Sequence, residues 1–178
     1  MKPERVLFSA DGIADGGGLD VSPGAALVEY LDPPAAAGGG LRLLAAGSPE
    51  EVASRPQASG ARRERLEGCV LLPGMVNSHT HLDLTHLGPL DFDEAGGFPR
   101  WAETISAGRR KDPEGIRDSV AQGIRLSLAG GVVAVGDISG AMHVEAVEAL
   151  RQSPLLGVSF LEFFGIGAGQ DAAGDRLE

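Results

Sequence analysis

The sequence has a single cysteine and no long apolar runs, and each shortage excludes a class of protein. Cys69 is the single cysteine among 178 residues, so the chain forms no internal disulfide and no zinc site of the CxxC type. No segment has the apolar length of a membrane span, and the run "VLF" (6–8) is too short for the core of a signal peptide. We therefore expect a soluble protein of the reducing cytoplasm, without a membrane partner.

Positive charge is scarce as well. The chain has 15 Lys and Arg against 25 Asp and Glu, which gives a formal net charge of −10. Nucleic-acid binding needs a basic surface that releases counterions, and no basic stripe runs along this sequence. The local cluster Arg62, Arg63 and Arg65 lies in segment 57–68, which we predict to be an exposed connector. These features exclude nucleic acid and favour a small neutral or cationic substrate; oligomerisation stays open.

The first third of the chain predicts a small β domain. Three short apolar runs, at 5–10, 25–31 and 41–47, are separated by clusters of Gly and Pro, as is typical of strands joined by turns. A short helix should follow the third run, because Ser48 suits the N-cap, Pro49 the first helical position and Glu51 a capping box.

After Pro73 the pattern changes to alternating strands and helices. Gly and Pro punctuation and capping residues delimit these elements, among them a helix capped by Asp112. The predicted order is a strand at 74–82, a helix at 112–131, a strand at 132–137, a helix at 143–152 and a strand at 155–164. Within the first helix, Ile116, Val120, Ile124 and Leu128 recur at every fourth residue and predict a buried stripe. Such alternation indicates βαβ units with a parallel sheet, an α/β fold.

Three of the four histidines lie in "LLPGMVNSHTHLDLTHLG" (71–88). Side chains alternate along a strand, so Asn77, His79, His81 and Asp83 should share one face. At the carboxyl end of a parallel strand, this face is where α/β proteins place their chemistry. Imidazole binds Zn²⁺ or Fe²⁺ well, and the pattern therefore offers His79 and His81 as metal ligands.

A simpler interpretation stays open at this point. The pattern His-x-His occurs by chance, and two histidines do not complete a catalytic zinc site, which has three protein ligands and an open position. His86 lies beyond the predicted strand end, and we expect it to be a loop residue outside the pair.

Three further residues are candidates for lining a substrate site. Asp137 ends a predicted strand, although carboxylates there often cap the following turn. Glu162 interrupts an apolar strand, where a buried carboxylate must be paired or functional. Trp101, the single tryptophan, could cover a flat ring, with packing in the core as the alternative.

The stretch "LLPGMVNSHTHLDLT" (71–85) resembles the first barrel strand of the amidohydrolase superfamily, in which an HxH motif follows a Pro-Gly entry. The branch with cytosine deaminase, S-adenosylhomocysteine deaminase and the triazine chlorohydrolases is the most similar. The resemblance continues in "GGFPRWAETI" (96–105) and in "LAGGVVAVGDIS" (128–139).

This resemblance implies a distorted (β/α)₈ TIM barrel beside a small β-sandwich, with one divalent metal at the barrel mouth. Residues 1–69 would form an incomplete sandwich domain, and residues 70–178 the N-terminal part of the barrel. His79 and His81 match the first two metal ligands, for Zn²⁺ or alternatively Fe²⁺. The family's remaining groups, two histidines and an aspartate, have no matching position in this sequence.

The length of the chain explains why these three groups are missing from the sequence. Residues 74–178 number 105, whereas a whole barrel needs about 250. We therefore expect the N-terminal part of a longer enzyme, or a truncated gene product, with two apolar strand edges left exposed. The implied reaction is metal-dependent hydrolysis of a non-peptide C–N bond, with deamination of a heterocyclic small molecule as the first candidate. Dechlorination and amide cleavage stay open, as does a catalytically inactive remnant or interaction module.

Overall fold

The computed structural model describes residues 3–14, 22–31, 40–140 and 144–162. Within these ranges the protein is a mixed α/β structure. It divides into two compact units, Met1–Gly74 and Met75–Glu178. The first residue of the predicted helix 143–152, His143, and the last two residues of the predicted strand 155–164 lie outside the described residues.

The first unit is built on a four-stranded sheet in the order β3-β2-β1-β4. Its strands are β1 (Arg5–Ile13), β2 (Ser22–Tyr30), β3 (Leu41–Gly47) and β4 (Arg62–Leu71). The neighbours β1 and β2, and β2 and β3, are antiparallel, whereas β4 runs parallel to β1. The described residues form one sheet in this unit, so a sandwich remains a prediction.

The predicted helix after β3 is confirmed as α1 (Pro49–Ala53). Ser48 caps it: its Oγ accepts a hydrogen bond from the Glu51 amide, and the Glu51 carboxylate accepts one from the Ser48 amide, 3.2 Å away. This reciprocal pair satisfies two amides that have no partner within the helix. A 3₁₀ helix follows (Pro56–Ala58), and the core consists of Leu7, Ala25, Leu27, Val52 and Ala58.

The prediction of an exposed connector at 57–68 was wrong, because β4 begins at Arg62. β4 lies at the edge of the sheet, where charged side chains reach solvent while the backbone pairs on one side. Arg62 Nε lies 3.1 Å from Glu4 Oε1, and Arg65 forms an ion pair with Asp11 on β1. A charge-rich segment thus forms a strand because its ion-pair partners are available nearby: Asp11 lies on β1, and Glu4 directly precedes β1.

The second unit contains a three-stranded parallel sheet in the order β5-β6-β7. Its elements in chain order are β5 (Met75–Thr80), a 3₁₀ helix (Leu82–Leu87), α2 (Gly97–Gly108), α3 (Pro113–Ala129), β6 (Val132–Ser139), α4 (Glu145–Arg151) and β7 (Leu156–Leu161). The βαβ pattern expected from the sequence is confirmed, whereas α2 was not predicted. No helix in the described ranges is long and apolar enough to cross a membrane.

Helix α3 supplies much of the core of this unit. Asp112 caps it as predicted, with Oδ1 accepting from the Gly115 amide at 2.6 Å. The cluster comprises Leu82, Ile116, Val120, Ile124, Val135, Ala146, Leu150 and Leu155. Leu128, the last member of the predicted stripe, is instead 36% exposed. A step of four residues exceeds the helical repeat of 3.6, so the stripe rotates away from the core toward the helix end.

Candidate metal centre

An irregularity in the sheet shapes the HxH segment. Asn77 pairs with Val135, but the next aligned pair is Thr80 with Asp137, so β5 contains one more residue than β6 over this interval. Such a bulge bends a strand and changes the direction of its side chains, and bulges are frequent beside functional sites. β5 therefore ends at Thr80, and His81 lies just beyond the strand rather than inside it as predicted.

Gly136 accommodates this bulge. A Cβ placed on Gly136 would overlap the carbonyl oxygen of Ser78. Because a backbone atom occupies the space, no side-chain movement would relieve the overlap. The glycine is needed for the close approach of β5 and β6 next to the histidines.

The structure brings His79 and His81 together. Their ring centroids are 5.3 Å apart, and the ring planes are inclined by 69°. Two imidazoles that share one tetrahedral ion, through Zn–N bonds of about 2.0–2.1 Å, place their centroids at roughly this separation. His79 is exposed and His81 is half-buried, with Nδ1 buried and without a hydrogen-bond partner in the described part of the chain. The pair fits two of the ligands of a divalent metal.

The other ligands do not come from the described ranges. Among residues 3–14, 22–31, 40–140 and 144–162, no group of three His, Cys, Asp or Glu side chains is arranged to hold a metal ion. Asp83, which the strand pattern placed on the same face as the histidines, belongs to the 3₁₀ helix and is buried. The two imidazoles are thus fewer than the three protein ligands of a catalytic zinc site.

Asp83 forms a buried ion pair. Its Oδ2 lies 2.6 Å from Nη1 of Arg109, which follows α2, while its Oδ1 has no partner among the described residues. Burial raises the pKa of the Asp83 carboxyl, and the positive charge of Arg109 opposes this shift. Arg109 also packs against Gly140, where a Cβ would overlap its guanidinium group. No local pattern in the sequence indicates Arg109, because the partners are 26 residues apart.

Asp137 is fully buried at the end of β6. Its Oδ1 accepts a hydrogen bond from the Leu82 amide at 2.9 Å, and its Oδ2 accepts one from the Ser159 hydroxyl at 2.5 Å. The carboxylate therefore connects the segment after His81 with β7. Ser159 was not among the predicted site residues.

His86 lies in the 3₁₀ helix, not in a loop, and its contacts are separate from the pair His79 and His81. Its Nε2 is 3.0 Å from the carbonyl oxygen of Gly108, and its Nδ1 is 3.1 Å from the Ser119 hydroxyl. Ser119 is itself buried and donates to the carbonyl oxygen of Asp83 at 2.9 Å. A buried serine is unavailable to a substrate, so we interpret this Ser–His contact as structural.

Trp101 and Glu162 remain candidates for contact with a substrate. Trp101 lies on α2, is 38% exposed and has its ring 5.7 Å from that of Phe98. Glu162 follows β7 instead of interrupting it, and its side chain is half-buried. Its amide donates to the carbonyl oxygen of Ser139 at 2.9 Å, which fixes the backbone at the carboxyl end of the sheet.

Comparison with known proteins finds deaminases and a chlorohydrolase among the proteins that are similar to this chain. No family profile matches the chain. An adenosine deaminase of Helicobacter pylori is 35% identical over 99 residues, which are 56% of this chain and 23% of that enzyme. The crystal structure of aminofutalosine deaminase from the same species, bound to methylthio-coformycin, superposes with a TM-score of 0.60 at 19% identity, covering 96% of this chain and 39% of that one.

A third similar protein is the atrazine chlorohydrolase of Arthrobacter aurescens, whose structure is a complex with zinc. It has a TM-score of 0.56 at 19% identity and covers 93% of this chain and 37% of the chlorohydrolase. The chain thus spans well under half the length of each of these proteins. The chain is therefore similar to deaminases in sequence and to enzymes of the amidohydrolase superfamily in structure, as the resemblance of the HxH segment predicted.

Proposed function

We propose that the chain is the N-terminal part of a metal-dependent hydrolase that acts on non-peptide C–N bonds, with His79 and His81 as its first two metal ligands. The observation that carries this proposal is the approach of the two imidazoles to 5.3 Å at the carboxyl end of β5. In this proposal β5, β6 and β7 are the first three strands of a (β/α)₈ barrel, and the first unit belongs to a β-sandwich.

Similar proteins support deamination as the reaction. One is named an adenosine deaminase, and another was crystallised as a deaminase with a coformycin derivative bound. We therefore propose a small heterocyclic substrate that carries an amino group. Dechlorination is the next candidate, because the neighbour of TM-score 0.56 is a chlorohydrolase. We propose Zn²⁺ as the metal, with Fe²⁺ as the alternative, and the cytoplasm as the location.

The chain's own residues would perform distinct tasks. His79 and His81 would hold the metal, which when bound lowers the pKa of a water molecule and so supplies the nucleophile for hydrolysis. Trp101 offers an exposed ring face that could stack on a flat heterocycle. Glu162, half-buried at the carboxyl end of β7, would contact polar groups of the substrate. Asp137 is fully buried and has no surface for a substrate, so its role must differ.

One observation favours a second candidate, an inactive remnant or interaction module. The described ranges contain no third metal ligand next to the histidine pair. A protein with these two ligands alone would keep the first strands of the fold without hydrolase activity.

The gene sequence beyond codon 178 separates the two candidates. Further barrel strands with two histidines and an aspartate would support the hydrolase, and the longer protein should then release ammonia from amino-heterocycles in a metal-dependent assay. A stop codon would support the remnant. For the 178-residue chain itself, we expect weak or substoichiometric Zn²⁺ binding, since two ligands bind poorly. Tight, stoichiometric binding would contradict the interpretation of an incomplete site.

A further inference from the structure

The segment that follows the candidate metal ligands lacks a local cap. His81 is the N-cap residue of the 3₁₀ helix Leu82–Leu87, and its side chain makes no capping hydrogen bond. The first amides of a helix have no partner within the helix, so the buried Leu82 amide needs an acceptor from elsewhere.

Asp137 provides that acceptor from the neighbouring strand. Its Oδ1 is 2.9 Å from the Leu82 nitrogen, and the contact is buried. A buried amide that loses its acceptor bears the full cost of its desolvation, which makes this contact decisive for the local backbone. Leu82 directly follows His81, so a fixed Leu82 amide restricts the backbone that carries the His81 ring.

The carboxylate of Asp137 is itself held in place. In the sheet ladder Asp137 pairs with Thr80 on β5 and with Ser159 on β7. Its second oxygen, Oδ2, accepts a hydrogen bond from the Ser159 hydroxyl, with 2.5 Å between the two oxygens, and this contact fixes the orientation of the carboxylate. Asp137 is thus held between its two neighbouring strands, through the sheet ladder on both sides and through its side chain toward β7.

The rest of the 3₁₀ helix has separate anchors. The Ser119 hydroxyl donates to the Asp83 carbonyl oxygen at 2.9 Å and accepts from the His86 amide at 3.1 Å. Loss of the Asp137 side chain should therefore loosen the backbone at 81–82 while leaving the helix attached to α3.

We propose that Asp137 is a positioning residue that holds His81 beside His79 by accepting the Leu82 amide. It acts through the backbone and touches neither the metal nor the substrate. The metal-binding role of the positioned ring rests on the proposed function, whereas the contact between Asp137 and the Leu82 amide exists without a metal.

The experiment compares Asp137→Ala, Asp137→Asn and a control, Asp118→Ala, which removes an exposed aspartate of α3. In the metal-free chain, NMR would measure the contact between the His79 and His81 rings and the hydrogen exchange of the Leu82 amide. Zn²⁺ affinity would be measured by competition with a chromogenic chelator. Asparagine keeps the acceptor Oδ1 and can donate to Ser159, so it should preserve the geometry without the charge.

We expect the ring contact and a slowly exchanging Leu82 amide in the unmodified chain, in Asp137→Asn and in the control. Asp137→Ala should lose the ring contact and exchange the Leu82 amide at least about tenfold faster, and it should weaken Zn²⁺ binding by about 10–100-fold, as for removal of groups that orient metal ligands. Asp137→Ala with an unchanged ring contact and Zn²⁺ affinity would overturn the inference, as would Asp137→Asn behaving like alanine.

Should Asp137→Ala fail to fold, the Leu82 exchange of the unmodified chain and of Asp137→Asn decides: fast exchange in either overturns the inference. The proposed function fails separately. If the protein extended past residue 178 binds no Zn²⁺ while the Leu82 and ring results hold, the metal role is refuted and the positioning role of Asp137 stands.

Discussion

The rings of His79 and His81 lie 5.3 Å apart, centroid to centroid, although β5 has already ended at Thr80 between them. Their approach therefore depends on the bulge in β5 and on the turn into the 3₁₀ helix, not on strand alternation alone.

Replacing either histidine of the pair should remove metal binding without unfolding the chain. We expect His79→Ala and His81→Ala to weaken Zn²⁺ binding by at least about tenfold, since each removes one of two ligands. The matched control is His86→Ala. His86 joins the 3₁₀ helix to Gly108 and Ser119, so its loss should lower the free energy of unfolding in urea and spare the Zn²⁺ affinity. Equal loss of affinity in all three variants would contradict this division of roles.

Alanine at position 136 should disrupt the contact between β5 and β6. Its Cβ would overlap the Ser78 carbonyl oxygen, and overpacking of this kind costs about 1–3 kcal/mol. Gly130→Ala is the control, because the atom nearest to its Cβ is 3.4 Å away. Urea unfolding should show a lower free energy of unfolding for Gly136→Ala and little change for Gly130→Ala. Similar stabilities of the two variants would argue against the bulge.

Removing Arg109 should leave the Asp83 charge buried without its partner. We expect Arg109→Met to lower the free energy of unfolding by about 3 kcal/mol at neutral pH. Because the folded-state pKa of Asp83 then rises further above its usual 3.8, this variant should lose stability as the pH rises above that value. The double variant with Asp83→Asn should recover part of the loss. Additive losses in urea unfolding would show that the two side chains do not interact.

The first unit contains a carboxylate with the opposite pH dependence. Glu29 on β2 is buried, with Oε1 2.9 Å from Arg5 Nε and a second ion pair to Arg42. Hydrogen bonds from Arg5 and then Arg42 lower the pKa of Glu29 below its ordinary 4.5. Its stabilising contribution is therefore complete above pH 4.5 and lost as the pH falls through the lowered pKa.

The variant Glu29→Gln tests this sign. It should be less stable than the unmodified chain at pH 7, and the difference should shrink as the solution is acidified toward the lowered pKa. Denaturant unfolding at several pH values measures it, with Glu50→Gln, an exposed glutamate of α1, as the control. A difference that is independent of pH would show that Glu29 does not act through its charge.

The second unit should associate when it is heated. Its sheet exposes large apolar side chains that are more than one third accessible, namely Met75, Val76, Val133, Leu156, Val158 and Phe160. Both outer strands, β5 and β7, also have one unpaired edge within the described sheet. We expect thermal unfolding of the 178-residue chain to be irreversible and concentration-dependent, with aggregates in light scattering. A sharp, reversible transition of a monomer would refute this expectation.

The elements that the sequence predicted correctly are those with local causes. Ser48 and Glu51 are three residues apart and cap α1, and Asp112 caps α3 in the same local way. The parallel strands β6 and β7 follow from continuous apolar runs between helices. Where local chemistry was ambiguous the prediction failed, as for the charged strand β4, whose partners Glu4 and Asp11 are more than 50 residues distant.

The same distinction holds for the candidate site. By itself, the sequence determined that His79 and His81 lie two residues apart near a strand end, and the resemblance of the HxH motif related the pair to metal-dependent hydrolases. Only the tertiary structure decided that Asp83 turns away to Arg109, that His86 joins Ser119, and that Asp137 accepts the Leu82 amide. These contacts join residues 26 to 55 positions apart, and no local pattern encodes which distant partner a buried polar group will meet.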